Sequence, residues 1–175
     1  MLRRHSLLVA VLLTAVAAGS GLLAGSAPWA AARSSDAATV RVAHDATYGA
    51  YLTDGAGVAL YIAAEPGQVA RINGSGDPPI AACNGICLQV WPPLTTDGAP
   101  LAGDGVEANL LGTTEAPNGG TQVTYAGWPL YTFAADTGAG STFGQAVAPP
   151  QGAATGAAWY LMAPDGTVIL TKPPE

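Results

Sequence analysis

The sequence predicts a mainly β fold, in which two tandem repeats of about 70 residues, each containing a β-hairpin, pack as one compact domain with few short helices. Three observations lead there. Trp91 is followed six residues later by Asp97-Gly98, and Trp159 is followed six residues later by Asp165-Gly166. Leu-Tyr pairs lie upstream of both, the tyrosines Tyr61 and Tyr131 standing 70 residues apart and the two tryptophans 68 apart. Glycine and proline contribute 23 and 14 of the 175 residues, and no stretch after Ala32 sustains an i, i+3, i+4, i+7 apolar pattern over three turns.

The first element is not part of the fold. Arg3, Arg4 and His5 precede an apolar run from Leu7 to Ala18 and small residues up to Ala30-Ala31-Ala32, which together read as a secretory signal peptide over residues 1–32, cleaved near Ala32. The apolar run falls short of the roughly 20 residues that a stable membrane-spanning helix needs, so no membrane span is expected in the mature chain. Ser6 stands where twin-arginine export would want a large apolar residue, which favours ordinary secretion.

Residues 33–39 are small and polar and read as a flexible lead, so the domain is expected over 40–175, with repeat one at 48–104 and repeat two at 118–172. Val40-Arg41-Val42 alternates. Tyr48 to Leu52, a turn at Asp54-Gly55-Ala56-Gly57, and Val58 to Ile62 read as strand, turn, strand. The second copy is tighter: Gln122 to Tyr125 and Leu130 to Phe133 flank Ala126-Gly127, where glycine supplies the positive φ of a hairpin turn. Pro129 cannot donate to a ladder and belongs at a strand start or a sheet edge. Gly/Pro-rich excursions at 65–82 and 137–156 follow, and each leads to a strand that begins at the tryptophan and ends at the Asp-Gly turn. Cys83 to Trp91 is the best helical candidate, although Ile86, Leu88 and Val90 fit an alternating strand equally well.

Charge excludes some partners. Beyond residue 32, four basic side chains (Arg33, Arg41, Arg71 and Lys172) face twelve acids, a net charge of −8. Four scattered cations cannot build the basic footprint that nucleic acid or an anionic lipid surface requires.

Chemistry has few places to reside. Cys83 and Cys87 are the only cysteines, and in an oxidising compartment a close pair is expected to form a disulfide. Gly85 gives the three intervening residues the freedom to bring the Cα atoms within the usual 4.4–6.8 Å or so. A redox-active pair is the sharper alternative, but the spacing is not Cys-x-x-Cys and no adjacent Lys, Arg or His is present to lower a thiol pKa. His44, Cys83, Cys87 and Met162 are one histidine short of a copper set, and a zinc site would need His44, both cysteines and a carboxylate to converge, so no metal and no cofactor is expected. His44 with the few serines makes no nucleophile elbow, and Asp97-Gly98 and Asp165-Gly166 read as turn chemistry, so no catalytic residue is assigned. Tyr61, Tyr131, Phe133, Trp91 and Trp159 read as core packing; an exposed row of them would instead stack on sugars.

Together these residues resemble a family of bacterial secreted and lipid-anchored repeat proteins, described by a Tyr-x-[Phe/Trp/Tyr]-x-x-Asp motif and without an established activity. Tyr131-Thr132-Phe133-Ala134-Ala135-Asp136 matches the motif in full, and Cys83-Asn84-Gly85-Ile86-Cys87 with Trp91-Pro92-Pro93-Leu94, and the run Gln122 to Tyr131, are similar to the family over about residues 48–168. In the first copy the motif's aromatic is Ala63, and its acid is missing or shifted to Glu65. No cysteine precedes Cys83, so the lipid attachment of many relatives has no site at the signal end. The expectation is a secreted, non-enzymatic binding or interaction module of the cell envelope, with an envelope protein or a small ligand as its partner. An extracytoplasmic redox accessory using Cys83 and Cys87, and carbohydrate binding by exposed aromatics, are the alternatives.

Overall fold

The computed structural model describes residues 36–64, 83–148 and 157–174. The expected signal peptide with its cleavage point, the whole of the first Gly/Pro-rich excursion and the end of the second lie outside the described residues. The described part is mainly β. Its strands are β1 (Thr39–Asp45), β2 (Gly49–Asp54), β3 (Tyr61–Ala64), β4 (Leu101–Ala102), β5 (Leu111–Glu115), β6 (Thr121–Tyr125), β7 (Trp128–Pro129) and β8 (Ala158–Leu161). A four-residue helix, α1 (Cys87–Val90), and a 3₁₀ turn at Ala108–Leu110 complete the elements. No helix among the described residues is long and apolar enough to cross a membrane.

Three small sheets result, ordered β2-β1-β4, β3-β8 and β5-β6-β7. β1 and β2 form an antiparallel hairpin from Val40↔Asp54 to Asp45↔Gly49, and β4 lies parallel to the other edge of β1. β5 and β6 form a second hairpin from Leu111↔Tyr125 to Glu115↔Thr121. The expected tight turn closes β6 onto β7 with Tyr125↔Trp128 and Thr124↔Pro129, and Ala126 (φ 47°) and Gly127 (φ 80°) both take positive φ, as a type I′ turn requires. Pro129 sits on the edge strand of that sheet, where its missing N–H leaves no gap in a ladder.

The middle of the molecule is made by segments far apart in sequence. β3 pairs antiparallel with β8 through Tyr61↔Leu161, Ile62↔Tyr160, Ala63↔Trp159 and Ala64↔Ala158. Tyr61 and Tyr131 exchange both backbone bonds, Tyr61 N–H to the Tyr131 carbonyl at 2.8 Å and the reverse at 2.9 Å. On the far side of Tyr131 the chain runs along residues 90–94, with Thr132 N–H donating to the Pro92 carbonyl, Ala134 N–H to the Val90 carbonyl and Leu94 N–H to the Leu130 carbonyl, each at 2.9 Å. The strand expected at Trp91 is therefore reduced to isolated bridges, because Pro92 and Pro93 can accept but not donate. Its counterpart at Trp159 carries no proline and is a full strand, β8.

Two buried clusters lie on opposite faces of these central segments. Alternation sends Leu60, Ile62 and Ala64 into an aliphatic core with Val40, Leu52, Val123, Tyr125, Trp128, Leu130 and Met162. Tyr61 and Ala63 go into a second core with Tyr51, Cys83, Trp91, Tyr131, Trp159 and Leu161. A strand buried on both faces cannot show the apolar-polar alternation of a half-exposed one, and Tyr61-Ile62-Ala63-Ala64 shows none.

Three expectations need correction. Residues 36–39 do not behave as a flexible lead: Ala38 N–H donates to Thr96 Oγ1 at 3.0 Å, the Ala38 carbonyl accepts from Leu101 N–H at 2.8 Å, and Thr39 begins β1. The segment after the Asp54–Gly57 turn does not continue along β2, because after the Thr53↔Ala59 bridge β3 leaves for β8. The second hairpin begins at Leu111, ahead of the expected repeat start at 118; Thr113-Thr114 before Asn118-Gly119 was the sequence signal for it.

A buried aromatic cluster joined to a disulfide

The eight residues singled out from the sequence meet in one place. Tyr61, Cys83, Trp91, Tyr131 and Trp159 are buried in the second core, Cys87 and Phe133 pack against it, and Asp136 reaches it through Tyr61. Three rings stack in a row. Trp91 lies over Trp159 with centroids 3.9 Å apart and planes 7° apart, and Phe133 covers the other face of Trp91 at 4.4 Å and 28°. Each tyrosine meets a tryptophan edge-on, Tyr61 with Trp91 at 5.5 Å and Tyr131 with Trp159 at 5.2 Å, the arrangement that aromatic quadrupoles favour.

The stack answers one condition set from sequence. Sugar binding by the repeated aromatics needs two of them coplanar and exposed; Trp91 and Trp159 are coplanar but only 4% and 6% exposed, and Tyr61 and Tyr131 are buried. The large apolar side chains that do reach solvent nearby are Ile86, Val90 and Phe143.

The disulfide closes a local turn. Cys87 N–H donates to the Asn84 carbonyl and Leu88 N–H to that of Gly85, Gly85 takes φ 55°, and the cysteine Cα atoms stand 5.4 Å apart with the Cys83–Cys87 bond formed. Of the two readings of this segment, the helical one holds for Cys87–Val90. Trp91 N–H then donates to the Cys87 carbonyl at 2.8 Å, so the disulfide-bearing turn sets the position of the central ring of the stack.

Asp136 is the polar member. Tyr61 Oη donates to Asp136 Oδ2 at 2.8 Å, and Phe143 N–H donates to Oδ1 at 2.9 Å. The Tyr61 oxygen in turn accepts from Gly144 N–H at 3.3 Å. Partial burial pushes the Asp136 carboxyl above its ordinary value although both bonds pull it down, and burial with the neighbouring carboxylate pushes the Tyr61 hydroxyl far up. Tyr131 is raised by burial too.

A raised carboxyl has a definite sign in stability. The native state holds the Asp136 proton more tightly than the unfolded chain does, so its contribution is most favourable below pH 3.8 and is lost as pH rises through the folded value above it. The stability difference between the wild type and Asp136→Asn should therefore shrink with rising pH over the range just above 3.8, as read by urea midpoints at a series of pH values. A difference that grows with pH would mean that the hydrogen bonds outweigh burial. Asp165, lowered by its bonds from Thr167, runs the other way and loses its contribution as pH falls.

Sequence reasoning missed the residues that hold this cluster in place. Gly144 packs so tightly that a Cβ would lie 2.7 Å from Tyr61 Cζ and 3.0 Å from Trp91 Cη2. Buried Gln145 donates from Nε2 to the Ile169 carbonyl at 2.7 Å and the Thr171 carbonyl at 2.8 Å, and its Oε1 accepts from Leu161 N–H at 2.7 Å. Both sit in the excursion read as loop, where no periodicity marks a buried residue. His44 lies apart, exposed on β1 opposite Ala50.

Residues 112–161 match a family model described as a secreted repeat of unknown function. They contain β6, β7, the Tyr131 to Asp136 motif and β8. No curated protein and no solved structure matches the chain.

Proposed function

Taking residues 112–161 as a member of the secreted repeats, we propose that this chain is a non-enzymatic binding or interaction module of the cell envelope, made of one unit used twice with its strands exchanged. The observation that carries the reading is the use of the motif groups on one another: Tyr61 and Asp136 are hydrogen-bonded at 2.8 Å and the repeated rings are stacked and buried. Such groups hold a scaffold together and leave recognition to the surface.

Equivalent pairings support the duplication. A shift of 71 residues carries Val42↔Leu52 of the first hairpin onto Thr113↔Val123 of the second, and the bond from Leu60 N–H to the Leu52 carbonyl has its counterpart from Leu130 N–H to the Val123 carbonyl, both at 2.9 Å. The exchange follows from the partners. Leu52 N–H donates to Met162, in the second copy, while Val123 N–H donates to Leu94, in the first; Met162 and Leu94 are 68 residues apart, like the tryptophans. Each hairpin is thus completed by the tryptophan segment of the other copy, and Tyr61 of one copy takes the motif acid of the other.

The test is saturable binding. Mature protein immobilised and exposed to solubilised envelope protein, glycan and small-molecule fractions should retain a component that free protein competes away, and Asp136→Asn should retain it equally if the motif is scaffold. Absence of any saturable component would overturn the reading. A Cys83–Cys87 reduction potential well above about −300 mV would instead favour redox work by the pair.

A further inference from the structure

The two copies differ at one edge. In the first, the outer edge of β1 is covered by a parallel segment: Leu101 N–H donates to the Ala38 carbonyl and Gly103 N–H to the Val40 carbonyl, both at 2.8 Å. The counterpart of β1 is β5, and β5 is the edge of its sheet, with no strand among the described residues on its outer side. The reason lies in Gln145. Residues 169–171, which correspond to 101–103 by the 68-residue shift, are tied down elsewhere, Ile169 N–H to the Leu161 carbonyl at 3.0 Å and both the Ile169 and Thr171 carbonyls to Gln145.

The groups on that edge follow from the register. Ala126 N–H donates to the Leu110 carbonyl and Ala116 N–H to the Gly120 carbonyl, so the even-numbered residues of β5 bond inward to β6. The Leu111 carbonyl, the counterpart of the Val40 carbonyl that Gly103 occupies, therefore faces out, as do the N–H and carbonyl of Thr113 and Glu115. Thr113, Thr114 and Glu115 are exposed, and neither lysine nor proline blunts the strand.

We propose that β5 is a strand-addition site, which takes an extended segment of a partner protein in parallel, as β4 lies on β1. This rests on the duplicated, binding-module reading above. The partner is a basic-ended segment rather than a second copy. The edge ends in Glu115, and a mature chain with four basic and twelve acidic side chains repels its own kind. A tripeptide of the partner would make up to four backbone bonds, to the Leu111 and Thr113 carbonyls and the Thr113 and Glu115 N–H groups.

The probe is a peptide that repeats residues 99–103, Ala-Pro-Leu-Ala-Gly, followed by two lysines. Binding should slow amide exchange of Thr113 and Glu115 at least tenfold. Thr113→Pro removes an outward N–H and no bond to β6, so it should weaken binding at least tenfold with little change in the urea midpoint. Glu115→Lys, a second variant without backbone effect, should weaken the lysine peptide and strengthen one ending in two glutamates. Protection at β1 instead of β5, equal binding by both variants, or dimerisation through β5 without peptide binding would overturn the assignment. Failure here with saturable envelope binding intact would leave the binding-module reading standing; failure of both would remove it.

Discussion

Replacing Trp91 by alanine should cost about 3–5 kcal/mol, the range usual for truncating a buried tryptophan. The ring is 4% exposed and is the middle of the stack, with Phe133 on one face, Trp159 on the other and Tyr61 at its edge. Truncation removes the area it buries and leaves three rings with an empty space between them. That loss includes the aromatic pairs and is a large share of the stability of an ordinary domain, about 5–15 kcal/mol. Urea unfolding should show a much lower midpoint, with part of the variant unfolded in buffer. Trp91→Phe should recover a good part of the loss. A deficit under about 1 kcal/mol for the alanine variant would mean that the stack is loosely held.

Gly144→Ala should destabilise by about 1–3 kcal/mol although it adds one methyl group and removes nothing. The added Cβ would stand 2.7 Å and 2.9 Å from the Tyr61 ring and 3.0 Å from the Trp91 ring. Neither ring can retreat: Tyr61 is held by Asp136 and by two backbone bonds to Tyr131, and Trp91 is held in the stack. The loop carrying Gly144 must move out instead, which lengthens the 3.3 Å bond from Gly144 to Tyr61. The measurement is the urea midpoint beside that of Gly138→Ala, which also lies in a loop but whose Cβ would meet nothing within 4 Å. Gly138 has a positive φ and so carries its own backbone penalty. A Gly144 variant no less stable than the Gly138 variant would show that the loop yields freely.

Much of this arrangement was legible in the residues, and the limits of that reading are physical. Local chemistry carried the Ala126-Gly127 turn, the Cys83–Cys87 link and the edge position of Pro129, because each depends on a few neighbouring residues. The repeated Leu-Tyr and Trp spacing marked the residues that meet in the aromatic core. What the spacing does not encode is which segment meets which. That β3 pairs with β8, or that Tyr61 takes Asp136 from 75 residues away, depends on pairing energies summed over the whole fold. The excursions were read as loops from composition, and the buried positions of Gly144 and Gln145 escaped because a single close approach or a single side-chain clip leaves no period.

The pairing of β3 with β8 also sets a timetable. A chain made from its N-terminus delivers residues 61–64 long before 158–161, so the central ladder has nothing to close on until nearly the whole chain has emerged. The β1–β2 hairpin and the Cys83–Cys87 bond, both local, can form early. Residues 61–64 therefore cannot reach their final pairing until the last strand, β8, is present.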